Sequence, residues 1–120
     1  MSNPKKLTLP NGVQITLRWC DSFFAKLRGF MFRGQIGANE GLVLVERRRS
    51  ITNTSIHMMF VFTPLAVYWL DENFAVVHAA LALPWRPYYA PPKPAKYVVE
   101  LHPSLAGVFL PGDRLPIQDA

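Results

Sequence analysis

Residues 51–83 read ITNTSIHMMFVFTPLAVYWLDENFAVVHAALAL, and this stretch decides the fold. Its first twenty residues contain no Asp, Glu, Lys or Arg, and Pro64 interrupts them. A membrane-spanning helix needs about 20 apolar residues, whereas runs of about 10–14 are more often part of a protein core. The apolar run from Met58 to Leu70 has thirteen residues. The sequence therefore predicts the centre of a folded domain and no membrane span.

The second half of the stretch predicts two long strands around a tight turn. Residues 65–70 are apolar, and so are residues 75–83 apart from His78. Between them, Asp71-Glu72-Asn73-Phe74 supplies the polar residues that are typical of a turn. The valines in both segments have the β-branched side chains that suit a pleated surface.

The rest of the chain adds further short elements. Alternating apolar and polar residues around Pro10-Asn11-Gly12 predict a hairpin. After Asp21 or Ser22, apolar residues recur at helical spacing as far as Gly34, which predicts a helix. The remaining predicted elements are strands at 42–45, 96–101 and 114–117 and a single helical turn at 104–107. The expected fold is mainly β: a single domain over residues 1–120, built as a sandwich or partly open barrel of about seven strands with one or two short helices.

Composition places the chain among compact globular proteins, because 50% of its residues are hydrophobic and 18% are charged. The net charge is +5, but Arg47-Arg48-Arg49 is the only run of like charge. No zinc-finger, helix-turn-helix or aromatic RNA-recognition pattern occurs, so nucleic acid is not an expected partner. A single cysteine, Cys20, and the lack of an export signal predict a cytoplasmic location.

The segment from Pro84 to Pro94 carries the most suggestive surface residues. Proline has no backbone N–H to donate to a sheet, so we expect an ordered, non-helical excursion between two strands. Within it lie Trp85, Arg86, Tyr88 and Tyr89. Exposed Trp, Tyr and Arg dominate recognition surfaces. Two interpretations stay open: the rings form a recognition loop, or they pack back over the core.

Three blocks of sequence, in matching order, resemble one family of small bacterial and archaeal proteins, the domain-of-unknown-function 192 family. They are Arg28-Gly29-Phe30-Met31-Phe32-Arg33 followed by Glu40 to Leu44, then Ser55-Ile56-His57 with Pro64-Leu65, then Tyr97 to Leu101 with Gly112-Asp113. The chain departs from the family pattern at Ala66, where Asp is common. The resemblance implies a mainly β fold and no established reaction.

His57 is the first candidate for chemistry, since an imidazole in an uncharged stretch can act as a base or a ligand. The alternative is a core histidine whose nitrogens are satisfied by hydrogen bonds. The three histidines and Cys20 lack the paired spacing of a zinc site. We therefore expect no metal and no cofactor.

Glu100 is the second candidate, because it stands in a strand otherwise made of Val and Leu. A buried carboxylate costs several kcal/mol unless it is paired. Arg28 or Arg33 is the predicted partner. The pairing is consistent with a structural ion pair or with a catalytic group.

Two functions from different classes follow. The first is a binding or interaction module that presents Trp85, Arg86, Tyr88 and Tyr89 to an unknown protein or small-molecule ligand. The alternative is an enzyme or small-ligand pocket centred on His57 with Glu100 and an arginine. The missing carboxylate at Ala66 favours the first.

Overall fold

Strands make up most of the regular structure. The computed structural model describes residues 4–22, 36–58, 60–86 and 88–119. Its strands are β1 (Lys5–Thr8), β2 (Gln14–Cys20), β3 (Glu40–Ser50), β4 (Leu65–Leu70), β5 (Val76–Ala82), β6 (Ala95–Leu101) and β7 (Ile117–Asp119). In the described residues the helical element is one 3-10 turn, Pro103–Leu105, close to the predicted position. The helix predicted after Ser22 lies outside them.

All seven strands belong to one mixed sheet in the order β5-β4-β6-β3-β2-β1-β7. Neighbours are antiparallel except for β2 and β3, which run parallel. The predicted pair of strands around the turn at 71–74 is confirmed, because β4 and β5 pair from Leu65↔Ala82 to Leu70↔Val76. In the described part of the chain, no helix is long and apolar enough to cross a membrane.

The sheet curls so that its two ends approach each other. Val76 of β5 donates its N–H to the Asp113 carbonyl and accepts from the Gly112 N–H, both at 2.8 Å. The chain then continues into β7, which pairs with β1 at the other end of the sheet. One sheet closed in this way is the partly open barrel of the predicted fold class. The mainly β prediction is thus confirmed.

Alternation of side chains gives this sheet two apolar faces. We call the cluster on the concave face the inner core. It consists of Leu7, Leu9, Ile15, Leu17, Val43, Ala66, Tyr68, Leu70, Val76, Val99, Leu101, Phe109 and Leu115. These residues come from six strands and from the segment that closes the barrel, so the inner core joins both ends of the sheet. The packing at Gly41 leaves no room for a side chain, because a Cβ there would stand 2.5 Å from the Leu101 Cδ2 atom.

The cluster on the convex face is the outer core, formed by Cys20, Ile36, Leu42, Ile56, Met58, Val61, Leu65, Val67, Trp69, Ala82, Ala95 and Val98. Two non-helical segments, 51–62 and 84–94, contribute to it and bond to each other. Ile56 and Tyr89 exchange backbone hydrogen bonds of 2.8 and 2.9 Å. The buried Trp69 Nε1 donates to the Thr54 carbonyl at 2.7 Å. The predicted non-helical excursion at 84–94 is therefore confirmed.

The observed bounds of β3 and of the last strand differ from the prediction. β3 continues to Ser50, well beyond the predicted residue 45, and so carries the arginine run. The last strand was predicted at 114–117, which is wrong. Arg114 makes only an isolated bridge with Ala75, and β7 begins at Ile117. Pro116 explains the shift, because it has no N–H to donate to the neighbouring strand.

Candidate functional site: an exposed aromatic cluster

Three aromatic rings meet in solvent at the open end of the β4–β5 pair. The register joins Leu65 to Ala82, so the chain entering β4 and the chain leaving β5 lie side by side. Phe60 and Phe62 come from the first, and Trp85 comes from the second. Their ring centroids lie 5.0 Å (Phe60–Trp85) and 5.9 Å (Phe62–Trp85) apart. Each side chain is 42–48% exposed. We call these three residues the aromatic cluster.

The backbone beneath the cluster fixes the rings outward. Met58 and Val61 are buried in the outer core, and the Val61 N–H donates to the Met58 carbonyl at 3.2 Å. The same Met58 carbonyl accepts the Trp85 N–H at 2.7 Å, and the Met58 N–H donates to the Arg86 carbonyl at 2.8 Å. The rings therefore stand on two segments that are bonded to each other and anchored in the core.

Two of the three rings sit on left-handed backbone. Phe60 has φ 60° and Trp85 has φ 65°. For bulky residues this conformation costs about 1–3 kcal/mol, and residues held in it cluster at functional sites. A glycine in either place would avoid the cost. The chain instead places a large aromatic side chain at both positions.

Further apolar side chains are exposed on β5 and on the segment that follows it. Leu81, Leu83 and Tyr88 are 48%, 39% and 64% exposed. Six of the nine exposed large hydrophobic side chains of the described residues thus lie in two segments, 60–62 and 81–88, that meet at this end of the sheet. Scattered single apolar residues are normal on a surface, whereas a contiguous patch marks an interaction site.

The charged side chains of the segments that carry the cluster have one sign. Residues 51–70 carry no charged side chain, and residues 73–99 carry no Asp or Glu. The cations in the second range are Arg86, Lys93 and Lys96. Lys96 donates to the carbonyls of Glu46 and Arg47, whereas Arg86 and Lys93 are exposed. The segment that carries Trp85 therefore adds the exposed cations Arg86 and Lys93 and no acid.

Part of the predicted recognition loop is exposed, and part of it packs on the core. Trp85, Arg86 and Tyr88 are exposed, as a recognition loop requires. Tyr89 is half-buried and packs against the outer core, and its hydroxyl accepts the Leu83 N–H at 2.9 Å. The loop is therefore pinned through Tyr89 and displays the other three side chains.

Glu100 is buried, with 5% of its surface exposed. It stands between Leu42 of β3 and Val67 of β4, both of the outer core. Desolvation raises the pKa of its carboxyl to about 7, and the positive charge of Arg18 opposes the rise only in part. The predicted partners Arg28 and Arg33 lie outside the described residues, so that pairing stays a prediction.

His57 is half-buried, between the core residues Ile56 and Met58. Among the described residues, the charge that acts on Glu100 belongs to Arg18, and His57 is not among the groups that shift the pKa of Glu100. The combination of His57 with Glu100 therefore stays a prediction. Cys20 is buried, and burial raises the pKa of its thiol, which fits a small core side chain. No group of three or more metal-ligating side chains was found in the part of the chain that the structure describes.

Sequence reasoning missed Phe60, Phe62, Leu81 and Leu83. The first two belong to the uncharged stretch that we assigned to the core, where Val61 is indeed buried. The available signal was charge: two long ranges without a single acid are unusual in a small protein that has eight acids.

The fold and the site together define a small, mainly β protein with one curled sheet and an exposed aromatic cluster. Solved structures of this shape exist. A protein of unknown function from Novosphingobium aromaticivorans matches with a TM-score of 0.76 and 20% identity, over 93% of this chain and 82% of that one. A Sinorhizobium meliloti protein described as a candidate transcription regulator matches with a TM-score of 0.78 and 21% identity, over 93% and 90%. At such identities the likeness shows the fold alone.

Sequence comparison gives the family. The model of DUF192, described as an uncharacterised ACR family, matches residues 6–117, and the chain belongs to this family. A UPF0127 protein of Pyrococcus furiosus is 34% identical over 88 residues, which are 73% of this chain and 72% of the relative. A UPF0127 protein of Thermococcus kodakarensis is 36% identical over 84 residues, 70% of this chain but only 52% of the relative. The chain thus spans about half the length of some relatives that it matches. The expected resemblance is confirmed.

Proposed function

We propose that this protein is an interaction module that binds a protein segment through the aromatic cluster. The observation that carries the proposal is the set of three exposed rings, Phe60, Phe62 and Trp85, fixed on two segments that are anchored in the outer core. Trp, Tyr and Arg are the side chains that dominate the binding energy of interfaces. Arg86 and Tyr88 stand beside the cluster.

The rigidity of the support matters for affinity. Binding normally costs about 0.5–1.5 kcal/mol for each flexible side chain that becomes ordered. Rings that already contact one another, on backbone that is already hydrogen-bonded, lose less freedom on binding. The left-handed backbone at Phe60 and Trp85 is strain that the fold tolerates in exchange for holding the rings outward.

The partner is expected to combine apolar and acidic residues. Its apolar side chains would cover the aromatic cluster. Its acids would meet Arg86 and Lys93, since no acid of this chain between residues 73 and 99 competes for them. Complementary charge of this kind fixes orientation and speeds association.

A displayed library of random twelve-residue peptides, selected against the wild-type protein, tests the proposal. We expect enrichment of sequences with apolar and acidic residues. Fluorescence anisotropy then measures the affinity of a selected peptide for the double variant Trp85→Ala/Tyr88→Ala. We expect at least a tenfold loss of affinity with little change in melting temperature, because both side chains are exposed. The matched control is Leu110→Ala, an equally exposed apolar residue that lies far along the chain.

Equal affinity of the selected peptide for wild type and the double variant would overturn the proposal. A large loss of stability in the double variant would also overturn it, because it would assign the rings to the core. Truncation of a buried aromatic ring costs about 3–5 kcal/mol, so the two outcomes are well separated in a denaturation curve.

A further inference from the structure

β5 is one of the two edges of the sheet. Its first residue, Val76, is bonded on the outer side to Gly112 and Asp113, which close the barrel. From Val77 to Ala82 the described residues supply no strand on that side. Just beyond, the Leu83 N–H is taken by the Tyr89 hydroxyl. The bare part of the edge is thus six residues long, the usual length of a strand.

This edge carries neither charge nor proline, two of the features by which proteins protect such strands, although β5 has a register shift at Val77. Edge strands are typically very short, or they carry Lys or Pro, because unpaired backbone groups attract a further strand. β5 reads VVHAALA, with no charge and no proline. The other edge shows the contrast. β7 has three residues, follows Pro116 and carries Asp119, which forms an ion pair with Lys5.

We propose that an extended segment of the partner pairs with residues 77–82 of β5 and becomes the eighth strand of the sheet. This inference rests on the proposed function, and it adds the binding mode by which the partner would attach next to the aromatic cluster. Main-chain hydrogen bonds supply the affinity in such strand addition, and alternate side chains supply the specificity. Side chains on one face of the added strand would cover Leu81 and Leu83, and the strand would end at the aromatic cluster.

The chemistry of the edge favours a partner segment in which apolar and acidic residues alternate. Apolar residues on one face suit Leu81 and Leu83, both of which are exposed. Acids on the other face suit Arg86 and Lys93. A second copy of this chain fits less well, because pairing of β5 with itself would bring together two molecules that each have a net charge of +5.

The probe is a fluorescein-labelled heptapeptide of alternating glutamate and valine, Glu-Val-Glu-Val-Glu-Val-Glu. Its matched control has lysine in place of each glutamate. We expect fluorescence anisotropy to show at least tenfold tighter binding of the acidic peptide. N-methylation of alternate peptide bonds removes the donors of one peptide edge without altering the protein. We expect one of the two methylation patterns to abolish binding and the other to preserve it, because only one edge of the peptide faces β5.

Two measurements on the protein complete the test. Amide hydrogen exchange should slow within residues 77–82 when the acidic peptide binds. Leu81→Glu, a change at an exposed side chain, should weaken binding of the acidic peptide at least tenfold by repulsion, while the melting temperature stays near that of wild type. Undetectable binding of the acidic peptide at millimolar concentration would overturn the inference.

The remaining outcomes separate this inference from the proposed function. If Trp85→Ala weakens peptide binding while neither methylation pattern does, the aromatic cluster binds its partner without strand pairing, and only the inference fails. If sedimentation shows a dimer that Leu81→Glu dissociates, a second copy occupies the edge and the inference is again overturned. If methylation abolishes binding while the variants of the cluster do not, strand pairing stands and the proposed role of the rings fails.

Discussion

Replacing Glu100 with glutamine is expected to remove a pH dependence from the stability of this protein. The carboxyl is buried in the outer core, and desolvation raises its pKa from 4.5 to about 7. A raised pKa means that the folded state holds the proton more tightly than the unfolded state. The free energy of unfolding must therefore fall as the pH rises between these two values. Below pH 4.5 the carboxyl is protonated in both states, and above pH 7 the full penalty applies.

The size of the effect follows from the shift. Each unit of pKa corresponds to about 1.36 kcal/mol, so ionisation of Glu100 costs the folded state about 3 kcal/mol at pH 8. A domain of this size has a total stability of about 5–15 kcal/mol. Glutamine has nearly the same volume and keeps a hydrogen-bonding group but cannot ionise. Wild type and Glu100→Gln should be similar at pH 5, and the variant should be about 3 kcal/mol more stable at pH 8.

Urea denaturation of both proteins at half-unit steps from pH 4 to pH 8.5 measures the difference. The control is Glu72→Gln, which changes an exposed carboxylate that pairs with Arg49 at 3.3 Å. Its unfolding free energy should follow that of wild type across the range. Parallel curves for wild type and Glu100→Gln would refute the reasoning, because they would show that burial does not control the ionisation of this carboxyl.

Three further substitutions test the packing and the strain. Gly41→Ala should destabilise the protein by about 1–3 kcal/mol in urea denaturation, because its Cβ would stand 2.5 Å from Leu101. Gly37→Ala, whose Cβ would meet nothing closer than 3.5 Å, should be much milder. Trp69→Phe should cost about 1–3 kcal/mol by leaving the Thr54 carbonyl without its buried donor, and an unchanged denaturation midpoint would contradict that role. Trp85→Gly should be about 1 kcal/mol more stable than Trp85→Ala, since only glycine relieves the left-handed backbone; equal midpoints would rule out strain at this position.

The elements that the sequence predicts well are those determined by neighbours along the chain. The turn at 71–74 is an example, because the Asp71 Oδ1 atom accepts the N–H groups of Asn73 at 2.8 Å and Ala75 at 3.0 Å. These hydrogen bonds lie within five residues, although Glu72 and Phe74 of the turn also contact the distant residues Arg49 and Tyr97. The apolar residues on either side then give β4 its observed bounds and β5 bounds within one residue at each end.

Features that depend on distant residues were not predictable in the same way. The closure of the barrel joins Val76 to residues 112 and 113, and no local sequence pattern predicts that pairing. The exposure of Phe60 and Phe62 is a similar case. Both lie in an apolar run next to the buried Val61, and only the bonds to the segment around Trp85 decide which side chains face solvent. Hydrophobicity alone cannot separate a core ring from a ring displayed on top of the core.

Several departures from ordinary folding rules coincide at one end of the β4–β5 pair. Bulky residues occupy left-handed backbone at Phe60 and Trp85, and their rings are exposed. The neighbouring edge strand β5 carries no charge and no proline, and the chain has no acid between residues 73 and 99. Each departure costs stability or risks aggregation. Sequences that fold reliably satisfy such rules nearly everywhere and break them where function requires it. Left-handed backbone also occurs at Phe74, at the other end of the pair, but only at the Phe60–Trp85 end of the described chain does it coincide with exposed rings, and that coincidence is the reason to look for the partner there.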